Sequence, residues 1–148
     1  MGNADDCVTI LMAEDDDGHA LLAQERFELM GMRNPVMRFK NGKEIWDFLS
    51  GAGAGPEAGR NCLLLLDIRM PGMDGIEVLR RIRADERLKS LPVIILTTTD
   101  DPREIDLCRE LGCSNYLVKP VDFEKFAEVL KRLGLFLMIV KAGGTQAY

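Results

Sequence analysis

The chain has 148 residues, a mass of 16.5 kDa and a formal net charge of −5. We predict a single domain over residues 1–148, because one core typically occupies roughly 100–200 residues. The acidic balance disfavours nonspecific binding to nucleic acid or to an anionic membrane, so we expect neither as a partner. The apolar run from Leu133 to Val140 is well under half of the ~20 residues that a spanning helix needs. The polar N-terminus lacks the profile of a signal peptide, and we expect a cytoplasmic location.

Histidine and cysteine are scarce and scattered. The chain has one histidine, His19, and four cysteines that form no C-x-x-C pair. A structural zinc site therefore has too few suitably spaced ligands. Catalysis of the Ser/His/Asp or Cys/His kind would have to use that single imidazole, so we expect neither.

Two kinds of pattern alternate along the chain. Five short apolar runs predict strands, at Val8–Ala13, Pro35–Phe39, Cys62–Leu66, Val93–Leu96 and Asn115–Val118. Apolar residues at helical spacing predict helices at Ala20–Met30, Gly42–Ser50, Gly75–Arg83, Pro102–Leu111 and from Asp122 onward. Three of the strands barely alternate polar with apolar residues, which is typical of parallel strands buried on both faces. The order indicates an α/β fold, a doubly wound five-stranded parallel sheet with helices on both faces.

Polar residues follow four of the five predicted strands. They are Glu14, Asp15, Asp16 and Asp17 after the first, Asp67 after the third, Thr97, Thr98 and Thr99 after the fourth, and Lys119 and Pro120 after the fifth. Ligands of doubly wound sheets bind beyond the carboxyl ends of the strands, so we expect these side chains at one edge. Each alone is more often a loop or capping residue, but the combination predicts a site.

Carboxylates that meet at such an edge repel one another unless a cation joins them. Oxygen ligands of this kind suit Mg²⁺, which together with Lys119 would supply three positive charges against Glu14, Asp15 and Asp67. The acidic pair could also be Asp15 with Asp16, although the end of the apolar run at Ala13 favours Glu14 with Asp15. Such a site can hold a phosphoryl group and use a carboxylate as the nucleophile that accepts it.

One family combines all of these features. Over roughly residues 7–135, the chain resembles the receiver domain of bacterial response regulators, the CheY-like family, at Glu14-Asp15, Asp67, Met70-Pro71-Gly72-Met73-Asp74-Gly75, Thr97, Tyr116 and Lys119-Pro120. The resemblance implies a flavodoxin-like (βα)5 fold with strand order 2-1-3-4-5. It also implies a response regulator of a two-component phosphorelay, phosphorylated by a sensor histidine kinase. Such a protein is no enzyme beyond catalysing its own phosphorylation and dephosphorylation.

The resemblance further implies a role for each position. Asp67 would be the phosphoacceptor. The Mg²⁺ ligands would be Glu14, Asp15, Asp67 and the main-chain carbonyl of Arg69. The phosphoryl group would contact Thr97, Thr98 and Lys119. The conformational switch would consist of Thr97 and Tyr116, Pro120 would follow a cis peptide bond, and Gly75 would allow the tight turn into the third helix. Asp16, Asp17 and Asp74 are interpreted as structural.

The last predicted helix changes character at Leu133. Residues 135–140 are apolar on every helical face, which indicates an extension over about 133–142 that lies under other structure or binds a protein. We predict a homodimer whose interface includes Leu133, Phe136, Leu137 and Val140. The alternative is a tail that folds back onto its own domain. The Gly/Ala-rich loop and this tail also resemble single-domain regulators paired with bacteriophytochromes, which implies a phytochrome-type kinase as partner.

Other functions fit the residues less well. An aspartate-based phosphohydrolase of the haloacid dehalogenase type needs a D-x-D motif, whereas Asp67 is followed by Ile68 and Arg69. A flavin-binding protein of the flavodoxin type needs a Ser/Thr/Gly-rich loop after the first strand, where four acids would repel a phosphate. A receiver that acts as an intermediate phosphoryl carrier stays open as an alternative.

Overall fold

The computed structural model describes residues 8–51 and 61–132, in which five strands and five helices alternate. The strands are β1 (Thr9–Ala13), β2 (Val36–Phe39), β3 (Cys62–Leu66), β4 (Val93–Thr97) and β5 (Asn115–Val118). The helices are α1 (Asp17–Leu29), α2 (Gly42–Leu49), α3 (Gly75–Ala84), α4 (Pro102–Glu110) and α5 (Phe123–Arg132). All pairings are parallel and the sheet order is β2-β1-β3-β4-β5, which confirms the predicted fold.

The sheet separates two apolar cores, and the leucine run of β3 supplies both. Leu64 and Leu66 pack in the core that contains α2, α3 and α4, whereas Leu63 and Leu65 pack in the core that contains α1 and α5. Successive side chains of a strand point to opposite faces, so a strand covered on both sides must be apolar throughout. The absence of polar alternation in this run is thus a consequence of helices on both faces.

Asparagine and aspartate side chains fix the starts of four helices. The caps are Asp16 for α1, Asn41 for α2, Asp74 for α3 and Asp101 for α4, and each accepts a backbone N–H of the first turn. An N-cap of this kind satisfies a donor that the helix itself leaves unpaired. The cap at Asp16 explains why α1 begins at Asp17 and not at the predicted Ala20.

The topology also defines where a site belongs. β2 lies on one side of β1, and β3, β4 and β5 follow on the other side. The direction in which strands are added therefore reverses between β1 and β3. A reversal of this kind opens a crevice at the carboxyl ends of the two strands. Glu14 and Asp67 directly follow those ends.

The predictions of no membrane span and of an apolar interface concern different parts of the chain. Within the described ranges, no helix is long and apolar enough to span a bilayer. The predicted interface residues Leu133, Phe136, Leu137 and Val140 lie outside the described residues.

Candidate functional site

Three carboxylates meet at the crevice between β1 and β3. Glu14, Asp15 and Asp67 each bring a carboxylate oxygen within 4.8 Å of the other two. The Asp67 backbone N–H donates to the carbonyl of Ala13 at 3.0 Å, which continues the β1–β3 ladder one residue beyond the strands. Glu14 and Asp67 are only 4 % and 8 % exposed, whereas Asp15 is exposed. Asp16 instead caps α1, which supports the register Glu14–Asp15.

Arg38 on β2 holds the backbone of Glu14, a role that the motifs in the sequence do not predict. Its Nε and a terminal nitrogen donate to the Glu14 carbonyl at 3.0 and 2.8 Å. Its other terminal nitrogen donates to Asp17 Oδ1 at 2.6 Å. A positive charge interrupting the second apolar run was the only sign of this role, and it becomes informative only once β2 is known to pair with β1.

Lys119 extends to the carboxylates from the end of β5. Its Nζ donates to Glu14 Oε1, lies 3.5 Å from Asp67 Oδ2 and lies 3.3 Å from Nδ1 of His19. The Lys119 side chain is 15 % exposed, so these contacts form in a partly dry environment where charge interactions are stronger than in water. The peptide bond between Lys119 and Pro120 is cis.

A cavity of about 230 Å³ lies beside these charges. Its polar lining residues are Glu14, His19, Arg26, Asp67, Thr98 and Lys119, and the rest of the lining is apolar, from β1, β3, β4, α1 and the segment after β5. An apolar wall next to charged groups excludes water from the point where the charges meet, which strengthens their interaction. Thr98 thus lies in the same cavity as Glu14, Asp67 and Lys119.

Thr97 is the last residue of β4 and is completely buried. The Thr99 backbone N–H donates to its Oγ1 at 3.4 Å, and the Tyr116 hydroxyl donates to the Thr99 carbonyl at 2.8 Å. Burial raises the pKa of Tyr116 to about 12, and the neighbouring Cys108 and Glu104 add to the rise. The phenol is therefore a hydrogen-bond donor at neutral pH. Thr97 and Tyr116 are linked through one residue, Thr99.

Gly75 lets the loop after Asp67 pack closely against the backbone of the site. A Cβ at this position would lie 2.1 Å from the Asp67 carbonyl oxygen, and the Gly75 N–H donates to the Ile68 carbonyl at 2.8 Å. Position 75 thus requires glycine because the backbone of Asp67 lies so close to it. The positive φ of the turn, 76°, belongs to Gly72. The prediction that Gly75 provides the turn is therefore replaced by a role in close backbone packing.

Arg69 lies in the same loop, and its side chain points to α4. One of its terminal nitrogens donates to both carboxylate oxygens of Glu104, at 3.0 and 3.1 Å. The side chain is therefore engaged away from the carboxylates. A metal contact through the main-chain carbonyl of Arg69 remains a prediction.

The donor set fits a hard divalent cation. Three carboxylates face one ammonium group, so the cluster carries two negative charges in excess. Two of the carboxylates are buried, and a buried negative charge needs compensation. An all-oxygen set with one exposed member suits Mg²⁺, which keeps several of its waters.

The fold and the site together define a class: doubly wound domains with an acidic, lysine-containing pocket at the switch point. The sequence matches the family described as the response regulator receiver domain over residues 10–131. The chain belongs to this family, as its motifs predicted. Receiver domains bind Mg²⁺ at an acidic pocket, interact with histidine kinases and work in two-component signalling.

Relatives and solved structures agree with this assignment. The chain is 34 % identical to the probable methanogenesis regulatory protein FilR2 of Methanothrix harundinacea, over 88 % of this chain and 83 % of that protein. A response regulator receiver domain from Rhodospirillum rubrum is 42 % identical with a TM-score of 0.72, over 88 % and 93 % of the two chains. The bacteriophytochrome response regulator AtBRR is 30 % identical with a TM-score of 0.77, over 88 % and 94 %.

Proposed function

We propose that this response regulator accepts a phosphoryl group on Asp67 from the phosphohistidine of a sensor histidine kinase. The observation that carries the proposal is the meeting of Glu14, Asp15, Asp67 and Lys119 at the switch point of the sheet. A carboxylate oxygen of Asp67 would attack phosphorus, so that a P–O bond forms while the P–N bond breaks and the imidazole leaves with the electron pair.

The chain's own groups would assist this transfer through charge. Lys119 Nζ lies 3.5 Å from Asp67 Oδ2 and would bind an oxygen of the incoming phosphoryl group. Thr98 lines the same cavity, and its hydroxyl would donate to a second oxygen. Mg²⁺, held by Glu14, Asp15, Asp67 and the Arg69 carbonyl, would offset the negative charge of the carboxylates and the phosphoryl group.

The switch would start from Thr97. If its hydroxyl turns to the phosphoryl group, the Thr99 N–H loses its 3.4 Å contact with Thr97 Oγ1. The segment that carries the Thr99 carbonyl, the acceptor of the Tyr116 hydroxyl, is then free to move. A change at Asp67 would thus reach the surface near α4 through two hydrogen bonds.

The chain would not turn over other phosphate esters. Ile68 and Arg69 follow Asp67, and the Arg69 side chain donates to Glu104, so the position of the second aspartate of a D-x-D motif carries no acid/base group. We propose that catalysis is limited to its own phosphorylation and dephosphorylation.

The partners would be proteins. Similarity to the bacteriophytochrome response regulator AtBRR supports a phytochrome-type histidine kinase as the partner. A cytoplasmic location is part of the same proposal. The apolar sequence around Leu133, Phe136, Leu137 and Val140 supports a homodimer. The net charge of −5 supports output through protein contacts and not through nucleic acid.

Phosphorylation by a small donor tests the central proposal. The protein is incubated with Mg²⁺ and acetyl phosphate, and its intact mass is measured. We expect one phosphoryl adduct on the wild type and none on Asp67→Asn. The matched control is Asp74→Asn, because asparagine caps a helix as well as aspartate does and this side chain already caps α3.

The control variant should therefore form the adduct. An adduct on Asp67→Asn, or none on a folded wild type, would contradict the proposal. The same samples without Mg²⁺ should form little or no adduct.

A further inference from the structure

His19 touches the lysine of the site, although neither the motifs nor the proposed function assign it a role. Its Nδ1 lies 3.3 Å from Lys119 Nζ and 3.9 Å from Glu14 Oε2. The imidazole is 44 % exposed and the lysine side chain 15 %. The ring therefore lies at the outer side of the ammonium group.

The ammonium group of Lys119 has three N–H donors and no acceptor. Three acceptors surround it: Glu14 Oε1, Asp67 Oδ2 and His19 Nδ1. Since the ammonium can only donate, a hydrogen bond between the two groups requires Nδ1 of His19 to accept, which is the tautomer with the ring proton on Nε2.

The backbone holds His19 firmly at this place. Its N–H donates at 2.9 Å to Oδ1 of Asp16, the N-cap of α1. His19 is the third residue of that helix, so its position depends on a capped helix end and not on a loose loop. The imidazole is thus presented to Lys119 by a fixed element.

We propose that His19 is a positioning residue that orients Lys119 for phosphoryl transfer. With Glu14 and His19 occupying two N–H groups, the third points to Asp67, where the phosphoryl oxygen arrives. Donors fixed before the reaction stabilise developing charge without reorganising during it. This inference rests on the proposed phosphorylation of Asp67.

Three substitutions separate the hydrogen bond from the shape of the ring. His19→Ala removes both, and His19→Phe keeps a ring of similar size but no acceptor. His19→Asn keeps a polar acceptor near the place of Nδ1. If His19 acts by accepting a hydrogen bond, the Ala and Phe variants should show the same proton exchange and the same phosphorylation rate. The Asn variant should then resemble the wild type in both. If it acts by filling space, Phe should resemble the wild type and Asn should behave like Ala.

The first measurement needs neither metal nor phosphodonor. Proton exchange of the Lys119 ammonium is followed by ¹H–¹⁵N NMR on lysine-labelled protein, with Lys119→Arg identifying the signal. We expect proton exchange of the ammonium to be about fivefold faster in the Ala and Phe variants. This is the effect of losing a hydrogen bond that contributes about 1 kcal/mol. A wild-type signal that exchanges as fast as the exposed Lys43, or no acceleration in Ala and Phe, would overturn the proposal.

The second measurement is the rate of adduct formation with acetyl phosphate and Mg²⁺. We expect Ala and Phe to be about fivefold slower, and Asn to lie within about twofold of the wild type. Equal rates in all variants, or faster transfer in Ala and Phe, would refute positioning by His19 while leaving phosphorylation of Asp67 intact. If the wild type forms no adduct at all, the proposed function itself fails, whatever the ammonium signal shows.

Discussion

Single residues decide how closely the loop after β3 approaches the site. Gly75 has space for a hydrogen atom only, because the Asp67 carbonyl oxygen would lie 2.1 Å and the Ile68 Cα 2.9 Å from a Cβ. Both neighbours are backbone atoms next to the proposed phosphoacceptor. Relief of the contact would have to displace Asp67 itself.

Gly75→Ala should therefore cost about 3 kcal/mol in the free energy of unfolding, measured by urea denaturation followed by far-UV circular dichroism. Gly72→Ala is the matched control in the same loop. No atom lies within 4 Å of its Cβ position, and only the positive φ of 76° causes strain, worth about 1 kcal/mol. Equal losses in the two variants would show that close approach to Asp67 is not what requires Gly75.

Chain order alone predicts which acids and which lysine gather at the site, because every parallel strand ends at the same edge. It does not predict Arg38 or His19. Their roles depend on lateral neighbours: β2 lies beside β1, and the end of β5 approaches the start of α1. Which strands and helices are neighbours is a property of the folded sheet, and the spacing of apolar residues along the chain does not reveal it.

At the scale of whole elements, Arg83 ties the end of α3 to two loops. Its Nε donates to the Gly112 carbonyl at 2.8 Å, and one terminal nitrogen donates to the Lys89 and Leu91 carbonyls at 3.1 and 2.7 Å. Burial lowers the pKa of the Arg83 guanidinium. Three carbonyls in the loops before β4 and β5 thus share one donor group.

Arg83→Met should lower the free energy of unfolding by about 2–3 kcal/mol, since these acceptors lose their partner while the aliphatic stem is retained. Arg80→Met, on the exposed face of the same helix, removes only an ion pair with Glu77 and should cost less than about 0.5 kcal/mol. Urea titrations of both variants provide the comparison. A loss for Arg83→Met no larger than that of Arg80→Met would show that the three bonds contribute little.

Element type was predictable from the sequence, and element boundaries less so. Apolar runs and helical spacing identify each of the five strands and five helices in the described part of the chain. The start of α1 differs by three residues, because Asp17, Gly18 and His19 carry no apolar signal and the helix starts there through its cap, Asp16. A rule based on apolar periodicity finds the packed part of a helix and not its polar first turn.

At the scale of the whole molecule, two apolar cores on opposite faces of one sheet explain why nearly every strand residue of β3 and β4 is buried. Alternation of strands and helices predicts that layered arrangement. The order 2-1-3-4-5 does not follow from alternation, because several orders satisfy right-handed crossovers. It followed from the resemblance to receiver domains, and the structure confirms it.

The apolar sequence after α5 gives the last prediction. In light scattering after size exclusion, the full chain should be a dimer and a chain ending at Arg132 a monomer, since each large apolar side chain buried at an interface contributes about 1.5–3 kcal/mol. Leu137→Glu in the full chain should also give a monomer, because it would bury a charge. Gln146→Glu adds the same charge outside the apolar run and should remain a dimer. A full chain that is already monomeric would contradict self-association through Leu133, Phe136, Leu137 and Val140.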